Sequence, residues 1–245
     1  MDTKIVALIG NAKRHIYFAD SINDSYPLAG IVVEKKYSAK NRFLSLLKRS
    51  HYNPLRLSGK LYYKIKLRKI DKRYEKAEND ILLGGNAYIK LRGVCPVLYT
   101  DDINSDPVKM FIKKIGPSLL LVSGTSLIKR DIIGTMPPNT IINMHTGLSP
   151  YYRGGPCTFW CLYNEEPEFL GVTIHFLTQG IDSGDIIFSR RMTDIEPGDN
   201  EATLDCKIIR LGTQLMLEAV KGSINSLLKS TPQWEKGKIF NLRDL

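Results

Sequence analysis

Lys4-Ile5-Val6-Ala7-Leu8-Ile9-Gly10-Asn11 opens the chain, and Leu28-Ala29-Gly30-Ile31-Val32-Val33-Glu34 closes the unit it begins. Ile5 to Ile9 is apolar without alternation, the pattern of a strand covered on both faces. Gly10-Asn11 turns the chain, a helical pattern runs to about Ile22, and a second strand rich in Val and Ile follows. A β-α-β unit of this kind predicts a parallel pair with a right-handed crossover.

The same rhythm returns further along. Cys95 to Tyr99 reads as a short strand. A helix starts at Asp106-Pro107 and ends at Gly116-Pro117, proline being favoured in a first turn. Ser118 to Val122 is a wholly apolar strand, with Ser123-Gly124-Thr125-Ser126 as its exit loop and Leu127 to Ile133 as a short helical turn. Pro137-Pro138 forces a break before the buried strand Thr140 to Met144. Cys157 to Tyr163 is helical, Gly171 to Thr178 alternates as a half-buried strand, and Asp185 to Met192 pairs with it antiparallel. A long amphipathic helix follows Pro197-Gly198-Asp199, its apolar stripe running through Ile208, Leu211, Leu215 and Ala219. Strands alternating with helices predict an α/β fold: an open, mostly parallel, Rossmann-like sheet with helices on both faces and an antiparallel extension near its C-terminal part. The expected organisation is a catalytic core over 1–195, with a basic insertion at about 35–94, and a C-terminal helix and short tail over 196–245.

Composition agrees with a globular chain. Of 245 residues, 43% are apolar and 24% charged, ordinary for a packed domain. No apolar run reaches the length of a membrane span, and the start has no signal-peptide shape, so the expected location is cytoplasmic. Cys95, Cys157, Cys161 and Cys206 are too scattered for a disulfide framework, and no Cys or His pair stands at metal-ligand spacing, so no metal is expected.

The net charge of +10 is concentrated: fifteen Lys/Arg lie between Lys35 and Lys76 against Asp71 and Glu75, which leaves the rest of the chain net acidic. Tyr37, Tyr52, Tyr62, Tyr63 and Tyr74 are interleaved with them. Such a stripe fits a solvated insertion, a wall near substrate phosphates, or a nucleic-acid surface. A nucleic-acid-binding protein on an inactive core is therefore the non-enzyme alternative, and nucleic acid is not the expected partner. Trp234, Ile239 and Phe240 in the tail read either as a homodimer contact or as self-packing.

The chemistry is concentrated between Thr140 and Asp185. Asn143 and His145, two apart at a strand end, face the same way. Asp182 stands in the glycine-bounded run Gly180-Ile181-Asp182-Ser183-Gly184-Asp185. An amide can donate to an oxygen gaining charge, an imidazole can donate or hand over a proton, and a carboxylate beside it favours imidazolium and can receive protons. None of the three is a good nucleophile, and no G-x-S-x-G elbow occurs. The attacking group then belongs to a substrate, which points to acyl transfer from a carrier to an amine.

Here the sequence resembles a known family. Asn143-Met144-His145-Thr146-Gly147-Leu148-Ser149-Pro150-Tyr151-Tyr152-Arg153-Gly154 is similar to the N-x-H-x-S-L-L-P-x-x-R-G signature of the folate-dependent formyltransferases. Gly171-Val172-Thr173-Ile174-His175-Phe176 and the Gly180 to Asp185 run are similar to that family's second signature. Gly147 and Ser149 depart from it, standing where Ser and Leu are more usual. The resemblance implies Asn143, His145 and Asp182 as the catalytic trio and N10-formyltetrahydrofolate as co-substrate. It places the pterin against Gly124, Leu127, Ile128, Thr178, Gly180 and Ile181. Asn11, Lys13, Arg14, Pro150, Tyr151, Arg153 and Gly154 are the candidate substrate contacts, with Lys13, Arg14 and Arg153 facing phosphates. His175 is expected to be structural.

Among the branches, the resemblance is strongest to the sugar-nucleotide N-formyltransferases. The tRNA branch carries a further C-terminal domain, and the glycinamide ribonucleotide branch has a G-N-G-S-N loop where this chain has Gly10-Asn11-Ala12-Lys13-Arg14. The implied reaction is formyl transfer to the amine of a dTDP- or GDP-linked amino-deoxy sugar, of the kind used for lipopolysaccharide O-antigen. Glycinamide ribonucleotide or another formyl acceptor is the alternative.

Overall fold

In the computed structural model, residues 3–35, 69–85, 91 and 95–240 are described. Residues 36–68 of the basic segment, including the helical spacing at Arg42 to Arg49, fall outside them. The chain runs β1 (Ile5–Gly10), α1 (Lys13–Ser25), β2 (Leu28–Glu34), a helical stretch at 69–77 ending in a π-helical turn at Glu78–Leu82, then β3 (Val97–Thr100). It continues through α2 (Asp106–Ile115), β4 (Leu119–Ser123), α3 (Arg130–Ile133), β5 (Ile141–His145), β6 (Tyr152–Gly154) and α4 (Cys157–Tyr163). The last elements are β7 (Gly171–Phe176), β8 (Ile186–Arg191), α5 (Glu201–Ile224) and β9 (Lys238–Phe240).

Seven strands form one sheet in the order β3-β2-β1-β4-β5-β7-β8. β3 through β5 are parallel, and β7 and β8 return antiparallel. This is the mostly parallel α/β sheet with an antiparallel extension that the sequence predicts. Strand alternation sorts the apolar residues into two cores. Ile5, Ala7, Ile9, Leu119, Leu121, Ile142 and Met144 face the layer that contains α1 and α5. Val6, Leu8, Leu120, Val122 and Ile141 face the layer of α2 and α3. On this second face the apolar pattern stops at Ile141. The next positions on the same side of β5 are Asn143 and His145, and in β7 they are Thr173 and His175. The sheet thus ends in a polar patch where the α2/α3 layer no longer covers it.

β7 differs from its expected half-buried state, since all its residues are buried. One face carries Val172, Ile174 and Phe176 into the core shared with α5. The other is covered by chain returning from β5: Thr173 Oγ1 donates to Gly147 O at 2.7 Å and accepts from Ser149 N at 3.0 Å.

α5 begins at Asn200, whose side chain accepts from Ala202 N and Thr203 N while Thr203 Oγ1 accepts from Asn200 N. This reciprocal cap satisfies donors that a helix start leaves open. Leu204, Ile208, Leu215, Met216, Ala219 and Val220 then enter the main core. Residues on both sides of 195/196 thus share one hydrophobic core. Among the described residues of the tail, β9 pairs in parallel with β6, and Phe240 stacks on Tyr152 and Trp160 of the same chain. No helix among the described residues is long and apolar enough to cross a membrane.

Gly212 marks the closest approach of α5 to the sheet beneath the polar patch. A Cβ there would lie 2.6 Å from Met144 Sδ and 2.7 Å from Val172 Cγ2. Overpacking a close-packed core costs about 1–3 kcal/mol. Gly212→Val is accordingly expected to lower stability by an amount in that range, read as a shifted denaturant midpoint, although valine has the better helix propensity.

Candidate active site

β5 supplies Asn143 and His145 because apolar neighbours anchor the strand and its alternation turns these two outward together. The antiparallel register places His175 opposite Asn143 and Thr173 opposite His145, and opposed residues share a face. The rings of His145 and His175 meet edge-on with centroids 6.5 Å apart. The third group arrives on the loop after β7. Asp182 has a φ of +43°, a left-handed backbone that costs roughly 1–2 kcal/mol for a residue with a Cβ and is least unfavourable for Asn and Asp.

The carboxylate of Asp182 is shared four ways. Oδ1 accepts from Asn143 Nδ2 at 3.2 Å and faces His175 Nε2 at 3.3 Å. Oδ2 accepts from Gly154 N at 2.9 Å and faces His145 Nδ1 at 3.3 Å. Burial alone would raise the pKa of this group. His145, a hydrogen bond from His175 and the Gly154 amide overcome that effect and hold Asp182 well below the usual carboxylate range. Asp182 is therefore persistently anionic and a weak base.

His145 is held from its other side by the carbonyl of Tyr152, 2.8 Å from Nε2. A carbonyl can only accept, so that nitrogen carries hydrogen and Nδ1 is the one turned to Asp182. A proton on both nitrogens satisfies both acceptors. Gly147 explains part of this fit: a Cβ there would lie 2.5 Å from His145 Nε2 and 2.8 Å from Tyr152 O. The departure from the family signature at this position thus makes room for the ring. Cys157 Sγ lies 3.6 Å from His145 Nε2, and burial pushes its thiol well above the ordinary range, so it is a poor source of thiolate.

These groups sit in a cavity of about 720 Å³. Asn143, His145 and Asp182 line it, as do Gly124, Leu127, Ile128, Thr178, Gly180 and Ile181, and also Asn11, Arg14 and Gly154. The remaining candidate substrate contacts do not come to the cavity. Lys13 turns to Asn79 Oδ1 at 3.0 Å and Glu75 at 3.5 Å. Pro150, Tyr151 and Arg153 lie where the loop meets the tail: Tyr151 packs on Trp234 and Phe169, and Arg153 Nη2 donates to Gly237 O.

Arg14 lines the cavity, but its cation is already engaged. It lies 2.7 Å from Glu78 and 3.7 Å from Asp205, over the ring of Tyr74. These acidic partners weaken its candidacy as a phosphate contact. Sequence reasoning also missed His175 as a member of the cluster. The signal was present in its pairing position opposite Asn143, which needs the strand register to be seen. Among the described residues no His/Cys/Asp/Glu group is disposed to hold a metal.

Residues 103–220 match the family model described as formyl transferase. This stretch of the chain, a little under half of it, is similar to that family. The methionyl-tRNA formyltransferase of Syntrophus aciditrophicus strain SB is 34% identical over 126 residues, a match that takes in 51% of this chain and 40% of that relative. Two solved structures share the architecture at low identity. Glycinamide ribonucleotide transformylase 1 from Symbiobacterium toebii has a TM-score of 0.61 at 16% identity, covering 94% of both chains. The formyltransferase PseJ from Anoxybacillus kamchatkensis, in complex with UDP-4,6-dideoxy-4-formamido-L-AltNAc and tetrahydrofolate, has a TM-score of 0.52 at 23% identity, covering 61% of this chain and 76% of that one. At these identities the likeness to the two structures is one of fold. Within the matched stretch the two signature segments supply β5, the loop after it, β7 and the Asp182 loop, all of which meet at the shared carboxylate.

The depressed pKa of Asp182 couples the site to folding. Its stabilising effect is complete above the unfolded carboxylate value of about 3.9 and is lost as pH falls through that value toward the folded one. Asp182→Asn is therefore expected to be less stable than the parent at neutral pH, with the difference shrinking below about pH 4. Urea midpoints of both proteins across pH 3–7 read this directly.

Proposed function

We propose that the domain transfers a formyl group from N10-formyltetrahydrofolate to the amine of a nucleotide-linked amino-deoxy sugar. The observation that carries this reading is the convergence of Asn143, His145 and Asp182 on one cavity wall with no activated protein nucleophile beside them. The formyl-folate supplies an acyl group on nitrogen, ready for attack by an amine. The fit of this co-substrate rests on the loop Gly124–Ile128 and on Thr178, Gly180 and Ile181, which line one cavity.

Each residue then has a separate task. Asn143 offers an amide N–H to an oxygen that gains charge, and His145 can add a ring N–H only by exchanging its contact with Asp182 or the Tyr152 carbonyl for that oxygen. Preorganised donors of this kind are worth about 10²–10³ in rate apiece. Asp182, anionic throughout, faces His145 Nδ1 and fixes the orientation of the ring. Because its basicity is low, it orients and relays rather than retains the proton that the amine must lose. As the amine–formyl C–N bond forms and the N10–formyl bond breaks, that proton ends on N10 of the departing tetrahydrofolate. The cavity has room for an acceptor beside the co-substrate, and its farther wall carries Tyr74, Glu201 and Asp205. The choice of a sugar nucleotide draws support from the ligand named for PseJ and from the resemblance of the signature segments. Glycinamide ribonucleotide and methionyl-tRNA are the competing acceptors, and their enzymes share the same core.

The test is a panel. The protein is supplied with formyl-folate and, in turn, UDP-, dTDP- and GDP-linked amino sugars, glycinamide ribonucleotide and methionyl-tRNA, and products are read by mass for the gain of one formyl group. Formylation confined to a sugar nucleotide is the expected result; formylation of either competitor alone overturns the acceptor assignment. His145→Asn is expected to lower kcat by about 10²–10⁴ while leaving acceptor binding, measured by calorimetry, within about threefold. Turnover at the parent rate in that variant overturns the role given to the ring.

A further inference from the structure

Residues 231–240 bond to both loops that build the site. Thr231 and Ile186 exchange two backbone hydrogen bonds at 2.8 Å. Arg153 Nη2 donates to Gly237 O at 3.3 Å, Lys238 N to Tyr151 O at 3.2 Å and Gly155 N to Phe240 O at 3.0 Å. Phe240 stacks on Tyr152 at 4.9 Å between ring centroids and lines the cavity. The segment so held carries Tyr152 O and Gly154 N, the partners of His145 and Asp182.

Gln233 acts on the other loop. Its Nε2 donates to Asp182 O at 2.8 Å and to Gly184 O at 2.9 Å. A carboxamide nitrogen has two hydrogens, and here both are used on carbonyls that bracket one turn. Among the described residues the Asp182 carbonyl accepts one further, longer bond, from Ser149 Oγ at 3.4 Å. Asp182 is also the residue whose left-handed backbone must be maintained for its carboxylate to reach both histidines.

We propose that Gln233 is a positioning residue for the formyl-transfer site, clamping the Asp182 turn so that the carboxylate stays between His145 and His175. This rests on the function proposed above. Gln233 touches no reacting atom. Its effect passes through the main chain of the turn, and the strand pairing of β9 with β6 supplies the matching restraint on the Gly154 side. The tail is thereby a working part of the catalytic apparatus.

The expected signature separates positioning from bulk stability. Gln233→Leu should lower kcat about 10- to 100-fold while the KM of each substrate stays within about threefold. Gln233→Glu, close in shape but presenting a carboxylate to two carbonyls, should lose at least as much. In the Asp182→Asn background Gln233→Leu should cost almost nothing further, because the group it positions is gone. A folded Gln233→Leu or Gln233→Glu protein with parental kcat overturns the proposal, as does a full additional loss in the double variant. Hydrogen exchange of the backbone amides at 180–185 gives a readout that does not need turnover. It is expected to be about tenfold faster in Gln233→Leu, and unchanged exchange overturns the clamp. Absence of formyl transfer by the parent protein would instead retire the function, leaving the exchange result to decide the clamp.

Discussion

Everything at this site depends on one buried anion. The Asp182 carboxylate takes an amide N–H, a backbone N–H and two imidazole edges from three separate stretches of chain. A carboxylate withdrawn from water is costly unless several donors satisfy it, so those stretches are energetically bound to converge. The donors that make the anion tolerable are the same groups that the proposed chemistry uses. Stability and function at this place are consequently the same set of hydrogen bonds, and the depressed pKa of Asp182 is their common expression.

The fold prepares this convergence by changing what the strands carry. Through β1 and β4, both faces of the sheet are apolar and covered by helices. At β5 one face continues into the core through Ile142 and Met144, while the other passes from Ile141 to Asn143 and His145. β7 repeats the division, with Val172 and Ile174 on the core side and Thr173 and His175 on the other. The reversal to antiparallel pairing at β7 sets His175 directly opposite Asn143. Every polar member is thus held by a strand whose opposite face is anchored in a close-packed core. That limits the rotameric freedom a catalytic group can waste.

Much of this was legible in the sequence, for identifiable reasons. The buried strands are unalternated runs of Val, Ile and Leu, which admit few other readings. The proximity of Asn143, His145 and Asp182 followed from residues two apart on a strand and a carboxylate on a glycine-bounded loop, strengthened by two signature segments. What was not legible depends on contacts remote in sequence. Lys13 and Arg14 look like free cations until Glu75, Glu78 and Asp205 are brought to them from far along the chain. Pro150, Tyr151 and Arg153 look like pocket residues until β9, a strand too short to show any periodicity, pairs with β6. β7 reads as half-buried because a polar residue at every second position normally faces water, whereas here Thr173 and His175 face the site and its loop.

The electrostatic layout of the cavity bears on what an acceptor must be. His145 and His175 border the shared anion at one wall. The wall that includes Glu201 and Asp205 has Arg14 as its paired cation, and burial raises the pKa of Asp205 despite that neighbour. With Arg14 paired to Glu78 and Asp205, and with Glu201 held by Tyr74, this edge of the pocket is a poor bed for a diphosphate but a good one for hydroxyls. An acceptor with separate polar ends would then be oriented by charge alone: its anionic end is repelled from the Glu201 and Asp205 wall, and its amine is drawn inward toward the catalytic carboxylate. Shape and charge would thus agree on which atom meets the formyl group, before any specific contact to the rest of the acceptor is made.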